Sequence, residues 1–176
     1  MMILAAMMGG LTACATAPRT ASEQQSLIEQ AQATLAQMLA KDPSLHTIVN
    51  ASVGYAVFPS IGKGGLVVGG AHGRGVLFER GQPVGYVSLT QASLGAQIGG
   101  QSFAELVLFR DQFALGQVKA NRFELGANAS AVALTAGAGA STRWTSGVAV
   151  FTMAHGGLMA ELSVSGQRIN FQPKAG

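Results

Sequence analysis

From Gly54 onward this 176-residue chain is written in short apolar runs broken by glycine, and that texture constrains its fold more than any other feature. The stretch GYAVFPSIGKGGLVVGG, residues 54–70, holds six glycines in seventeen residues. Glycine contributes 24 residues in all, roughly twice its usual share of about 7%. No Gly-X-Y period accompanies it, so a collagen helix is excluded. Apolar runs punctuated by glycine mark an antiparallel sheet, and glycines inside strands imply tight bends or a close neighbouring backbone.

Strands are predicted at Tyr55–Phe58, Leu66–Gly70, Val76–Glu79, Val84–Leu89, Phe103–Phe109, Val148–Met153, Leu158–Val164 and Arg168–Phe171, with a turn at Arg80-Gly81-Gln82-Pro83. Leu94, Ala96 and Ile98 alternate with Gly95, Gln97 and Gly99, which sets an apolar face against a small or polar one; Leu125, Ala127 and Ala129 alternate likewise. Ahead of the sheet, Leu27, Ile28, Ala31, Leu35, Met38 and Leu39 recur at spacings of three and four, the stripe of an amphipathic helix. Ser22-Glu23-Gln24-Gln25 has the form of a capping box, and Asp42-Pro43 stops the helix. A short helix is expected over Leu45–Asn50, and another from Asp111, as its cap, to about Ala120. The fold class is α+β: a strongly curved antiparallel β-sheet or small barrel with an N-terminal amphipathic helix and one further helix packed on it. Length fits one domain, and 48% apolar with 11% charged residues excludes intrinsic disorder.

The glycine-rich stretch has an echo. GVAVFTMAHGGLMAELS from Gly147 repeats G-x-A-V-F followed by Lys or His and then Gly-Gly-Leu, with His155 in the place of Lys63. Two readings stand: two equivalent hairpins of a pseudo-symmetric sheet, or two basic turns facing one pocket.

At the N-terminus, residues 1–13 carry no charged side chain and lead directly to Cys14, the one cysteine. Thirteen residues are too few for a spanning helix, which needs about 20. They suit the apolar part of a secretory signal, with no basic side chain among them. Leu11-Thr12-Ala13-Cys14 resembles the lipobox of bacterial lipoproteins, which implies lipidation of Cys14 and, with Ala15 next, passage to the outer membrane. Ala15–Ala21 then reads as a short tether.

The chemistry is narrow. Gly62-Lys63 is followed by Gly64 and by strand, so no Walker loop forms, and no dinucleotide fingerprint surrounds it. A net charge of +3 without a Lys/Arg run gives no nucleic-acid signature. His46, His72 and His155 lack ligand spacing, so no metal or other cofactor is expected. Asp42 and Asp111 are explained by helix boundaries, and Glu79, Glu105 and Glu161 sit singly in strands, where an outward-facing charge is the ordinary explanation. No acid/base pair is visible, and the chain is expected not to be an enzyme. What remains is cations beside glycine: Lys63, Arg74 in Gly73-Arg74-Gly75, and Arg80. Backbone N–H groups of glycine turns form anion nests, which a phospholipid phosphate would suit; solvated turn residues are the alternative.

Phe58-Pro59, Lys63, Gly65, Gly69-Gly70, Gly73-Arg74-Gly75, Val76-Leu77, Gly85-Tyr86, Ser93-Leu94-Gly95-x-Gln97-Ile98-Gly99 and Leu125-Gly126-Ala127 together resemble the SYLF (Ysc84-type) lipid-binding domain. Gly85-Tyr86-Val87-Ser88 departs from the Gly-Trp pattern of eukaryotic members, and the sequence is similar to the bacterial branch. The lipobox resemblance implies a signal peptide over 1–13 and a lipidated tether over 14–21, and the SYLF resemblance implies a SYLF domain over 22–176. Together with the missing acid/base pair they imply a non-catalytic, phospholipid-binding lipoprotein anchored to the outer membrane and facing the periplasm. Lys63, Arg74 and His155, with the backbone of Gly64 and Gly65, would meet an anionic headgroup or membrane surface. The alternative is an envelope lipoprotein that binds a protein partner and has no specific lipid ligand.

Overall fold

The computed structural model describes residues 16–65, 68–94, 97–126, 129, 131–155, 164 and 166–175. Cys14 and the strand expected at Leu158–Val164, apart from Val164, lie outside them. Helices α1 (Ala21–Lys41) and α2 (Leu45–Ala51) precede four long strands, β1 (Gly54–Gly65), β2 (Val68–Glu79), β3 (Gln82–Leu94) and β4 (Gln97–Phe109). Helix α3 (Gln112–Lys119) follows, then β5 (Phe123–Glu124), β6 (Ala131–Ala133), β7 (Val148–Ala154) and β8 (Gln167–Pro173). These strands form one sheet in the order β5-β8-β3-β2-β1-β4-β7-β6, antiparallel except where β6 runs parallel to β7.

The strands are longer than the sequence suggested because the glycines lie within the ladders. Gly64 pairs with Gly70, and Gly69 with Ser93, so these are strand positions rather than turns. The Leu94–Gly99 alternation is divided between the end of β3 and the start of β4. Arg80 and Gly81, both at positive φ, make a two-residue turn between Glu79 and Gln82. That left-handed geometry matches the twist of the strands it joins.

The sheet is curled. Gln167 on β8 donates from Nε2 to Glu105 Oε2 on β4 at 3.1 Å. Four strand spacings separate those strands, about 19 Å across a flat sheet. Their side chains meet only because one face is concave. That face is filled by Phe58, Ile61, Leu77, Phe103, Val107 and Phe109, capped by Ala114, Leu115 and Val118 of α3. Glu105 is fully buried there, a correction to its expected outward position, with Gln91, Thr152 and Gln167 also buried. A buried carboxylate needs hydrogen bonds to offset lost solvation, and Gln167 supplies one.

The convex face carries a second core in which Ile28, Ala31 and Met38 of α1 and Leu45 and Val49 of α2 cover Val57, Val76, Phe78, Leu106 and Phe151. Leu27, Leu35 and Leu39 pack half-buried at its margin. The apolar stripe of α1 is therefore a packing face. Its capping box is Thr20 with Glu23, two residues earlier than the sequence form suggested: Glu23 N–H donates to Thr20 Oγ1, and the Glu23 carboxylate accepts from Thr20 N–H. Asp42 does more than end the helix. Its carboxylate accepts from Ser44 N–H and O–H and, 95 and 97 residues along the chain, from Gly137 and Gly139 N–H.

Two more expectations change. Residues 16–18 are docked rather than free: Thr16 Oγ1 and Ser88 Oγ share a hydrogen bond of 3.2 Å, Ala17 N–H donates to Gln172 Oε1, and Ala17 is buried. The echoed segments do not take equivalent places beside β4, and the second glycine pair, Gly156-Gly157, lies outside the described residues. Both β1 and β7 flank β4, but Phe58 pairs with Glu105 while its sequence counterpart Phe151 pairs with Leu106. This slip of one residue puts Phe58 in the concave core and Phe151 in the convex one.

Candidate functional site

The site residues are arranged by a bulge in β1. Between Phe58 and Ile61 two residues, Pro59 and Ser60, oppose the single Ala104 of β4. Proline has no N–H for the ladder and is tolerated at such a place. The bulge presses toward β2, where a Cβ on Gly73 would lie 2.8 Å from Ser60 O and one on Gly75 2.3 Å from Val57 O. The Gly-Arg-Gly motif is thus explained by close backbone approach on both sides of Arg74.

Ser60 pairs with Arg74, and Arg74 with Ser88. On the other side, His155 follows the end of β7, its N–H donates to Ser102 O, and its Nε2 lies 2.6 Å from Pro59 O. A carbonyl only accepts, so Nε2 carries the proton and holds the imidazole over the bulge. By strand alternation from Val76, Phe151 and Ala104, all members of the convex core, Arg74, Ser102 and His155 lie on the convex face. A row results: Ser88, Arg74, Ser60, Ser102, His155, all exposed except Ser88, which lies beneath Thr16. Arg74 and His155 stand three strands apart, about 14 Å at the backbone.

Arg74 also closes a groove of about 440 Å³ along α1, with Pro18, Ser22, Glu23, Ser26, Leu27 and Gln30. The Glu23 carboxyl is held below its ordinary range, first by the backbone N–H of Thr20, then by further Thr20 and Arg19 hydrogen bonds and the charge of Arg74, against a partial opposing effect of burial. Its oxygen is committed to the cap, and Arg74 has no ion-pair partner within 4 Å among the described residues. The groove therefore keeps a free guanidinium beside two hydroxyls.

Of the residues singled out in the sequence, Arg74 and His155 are brought onto one face. Lys63, Gly64 and Gly65 sit at the end of β1, where Lys63 pairs with Ala71 and Gln101, three residues beyond the Ser60–Arg74 pair. Sequence reasoning missed Ser60 and Ser102. Only the bulge at Pro59 could have pointed to them. It also missed a cleft of about 290 Å³ lined by Phe123, Glu124, Leu125 and Gly126 on one side and by Thr145, Ser146 and Val148, at the start of β7, on the other. Among the described residues no cluster of histidine, cysteine or acidic side chains could hold a metal ion, and no helix is long and apolar enough to cross a membrane.

Residues 90–175 match the family Ysc84, described as "Las17-binding protein actin regulator". The sequence is also 27% identical over 154 residues to Beta cell expansion factor A of Aeromonas veronii, an alignment that covers 86% of this chain and 58% of that protein. The chain spans less than two thirds of that relative. The family match begins within β3, so α1, β1 and β2, with Lys63 and Arg74, precede it.

Proposed function

From the premise that the chain belongs to the Ysc84 (SYLF) family, we propose that it is a non-catalytic phospholipid-binding protein of the bacterial cell envelope, attached through lipid on Cys14 to the outer membrane and facing the periplasm. The observation that carries this reading is the convex row. One guanidinium and one imidazole about 14 Å apart, with the Ser60 and Ser102 hydroxyls between them, are too widely set to grip one small anion. They suit a surface of repeated phosphates, where the guanidinium and the imidazole each meet a separate headgroup. A guanidinium offers paired donors to phosphate, and exposed seryl hydroxyls add further ones.

The docked segment 16–18 supports the same reading. Thr16 is fastened to Ser88, next to Arg74 in the row. Thr16 lies two positions after Cys14, a reach of about 7 Å when extended. Acyl chains on that cysteine would hold the row at the bilayer surface, and more than one chain gives stable anchoring. Mass spectrometry of the protein extracted in mild detergent tests the anchor: a Cys14-modified N-terminus bearing acyl chains is expected, and an unmodified thiol in the mature protein would refute it. Headgroup recognition is tested by flotation of the Cys14→Ser chain with vesicles of phosphatidylcholine alone and of phosphatidylcholine mixed with phosphatidylglycerol. Binding that strengthens with phosphatidylglycerol is expected.

A further inference from the structure

Phe113, on α3, is 76% exposed, the one large hydrophobic side chain in that condition among the described residues. Its helix neighbours at i+3 and i+7, Gly116 and Ala120, are exposed too and leave the ring standing clear. The buried side of α3, Ala114, Leu115 and Val118, faces the concave core, so Phe113 is not needed to attach the helix. Arg110 and Arg122 bracket α3, both are exposed, and neither belongs to the ion pairs Lys119–Glu79 and Arg168–Glu124 found among the described residues. An exposed aromatic ring between two such arginines is the composition of a surface that enters the headgroup region of an anionic bilayer.

Position agrees with composition. Asn121, just past α3, exchanges hydrogen bonds with the backbone of Phe171 on β8, donating to its carbonyl and accepting from its N–H. The next residue of that strand, Gln172, accepts from Ala17. Thr16 and Ala17, which follow Cys14 in the sequence, therefore lie beside the α3 end as well as beside the convex row. We infer that the α3 end, with Phe113 as an apolar anchor and Arg110 and Arg122 as headgroup contacts, is a second membrane-docking surface that engages anionic lipid. The inference rests on the phospholipid reading above but adds a surface that reading does not use.

The test is flotation of the Cys14→Ser chain with phosphatidylcholine–phosphatidylglycerol vesicles, comparing Phe113→Ser, Phe113→Trp and Arg110→Ala/Arg122→Ala. Withdrawing a partly inserted phenyl ring weakens binding by about tenfold, and each arginine near an anionic surface contributes about fivefold. Phe113→Trp keeps its affinity, and its added fluorescence shifts to the blue on mixing with vesicles. All three variants melt like their parent, because the replaced side chains are exposed. If Phe113→Ser and the double arginine variant bind as tightly as a parent that does bind, the α3 surface is refuted while the phospholipid reading stands. If the parent binds no vesicle, both fall. If Phe113→Ser loses a co-purifying protein yet keeps its lipid affinity, the surface belongs to a protein partner and the inference is overturned.

Discussion

Replacing Gly75 by alanine should destabilise the fold severely, whereas the same change at Gly62 should not, although both glycines belong to the same glycine-rich hairpin. A Cβ at Gly75 would lie 2.3 Å from the carbonyl oxygen of Val57 and 2.8 Å from Phe58 Cδ1. Restoring even the 3.0 Å floor of real Cβ contacts requires a displacement of 0.7 Å against backbone. Neither strand can give way cheaply, because β1 is held between β2 and β4, and β2 between β1 and β3. Forcing one extra carbon into a packed interior costs about 1–3 kcal/mol, and backbone on the far side places this case at the upper end. A methyl group at Gly62 would meet no atom of the described residues within 4 Å, and the φ of Gly62 is not in the left-handed region. There alanine reduces the freedom of the unfolded chain and stabilises by about 0.4–1 kcal/mol. Urea unfolding followed by circular dichroism separates the two. With a slope of about 1–3 kcal/mol per molar, Gly75→Ala should lower the midpoint by about 1–3 M, and Gly62→Ala should leave it equal or slightly higher. Equal midpoints for Gly75→Ala and the parent would show that the bulge does not press on β2, and the account of the Gly-Arg-Gly motif would be wrong.

Other outcomes follow from the same geometry. Asp42→Asn keeps an acceptor for Ser44 and Gly137 but turns an amide toward Gly139 N–H, so a charge-assisted bond is lost and a buried donor stranded, a cost of about 3 kcal/mol in the same urea assay. Burial acts to raise the Asp42 pKa, but the hydrogen bonds from Ser44, Gly139 and Gly137 outweigh it and hold the carboxyl below its ordinary value of 3.8. A depressed folded-state pKa gives stability that is complete above the unfolded-state value and lost as pH falls through the folded one. Stability of the parent should therefore drop as pH falls below about 4, and Asp42→Ala should show a shallower drop from a lower starting point. Gln172→Ala removes the acceptor for Ala17 N–H, so limited proteolysis near residue 16 should accelerate several-fold while global stability changes by about 1 kcal/mol or less.

The curved sheet with helices packed on it was legible in the sequence, the helices because each announces itself by periodicity or by capping and stop residues. Asp111 caps α3 as expected, accepting from Ala114 N–H at 2.9 Å, and α1 ends at Lys41 before Asp42-Pro43. Strand lengths were less legible, since a glycine in a ladder and a glycine in a turn look alike in one dimension. Gly64 and Gly70 face each other across β1 and β2, a fact carried by pairing rather than by residue type. The buried position of Glu105 was hidden for a related reason. Alternation marks it as sharing a face with Phe103 and Val107, but only the curl that brings Gln167 to it shows that this face is enclosed. At the candidate site, the cation between glycines identified Arg74 and the echo identified His155, while their shared face depended on the β1 bulge and the one-residue slip of β7 against the echo. Phe113 carries no signal in the sequence that distinguishes it from a core aromatic on an amphipathic helix.

The central claim is that the convex row meets anionic lipid, and flotation of the Cys14→Ser chain with and without Arg74→Ala and His155→Ala tests it most directly. Phosphatidylcholine–phosphatidylglycerol vesicles should float the parent, with a loss of about fivefold for Arg74→Ala, a further loss when His155→Ala is combined with it, and a steep weakening with salt. A double variant that floats as well as its parent, or a parent indifferent to phosphatidylglycerol, would contradict the account.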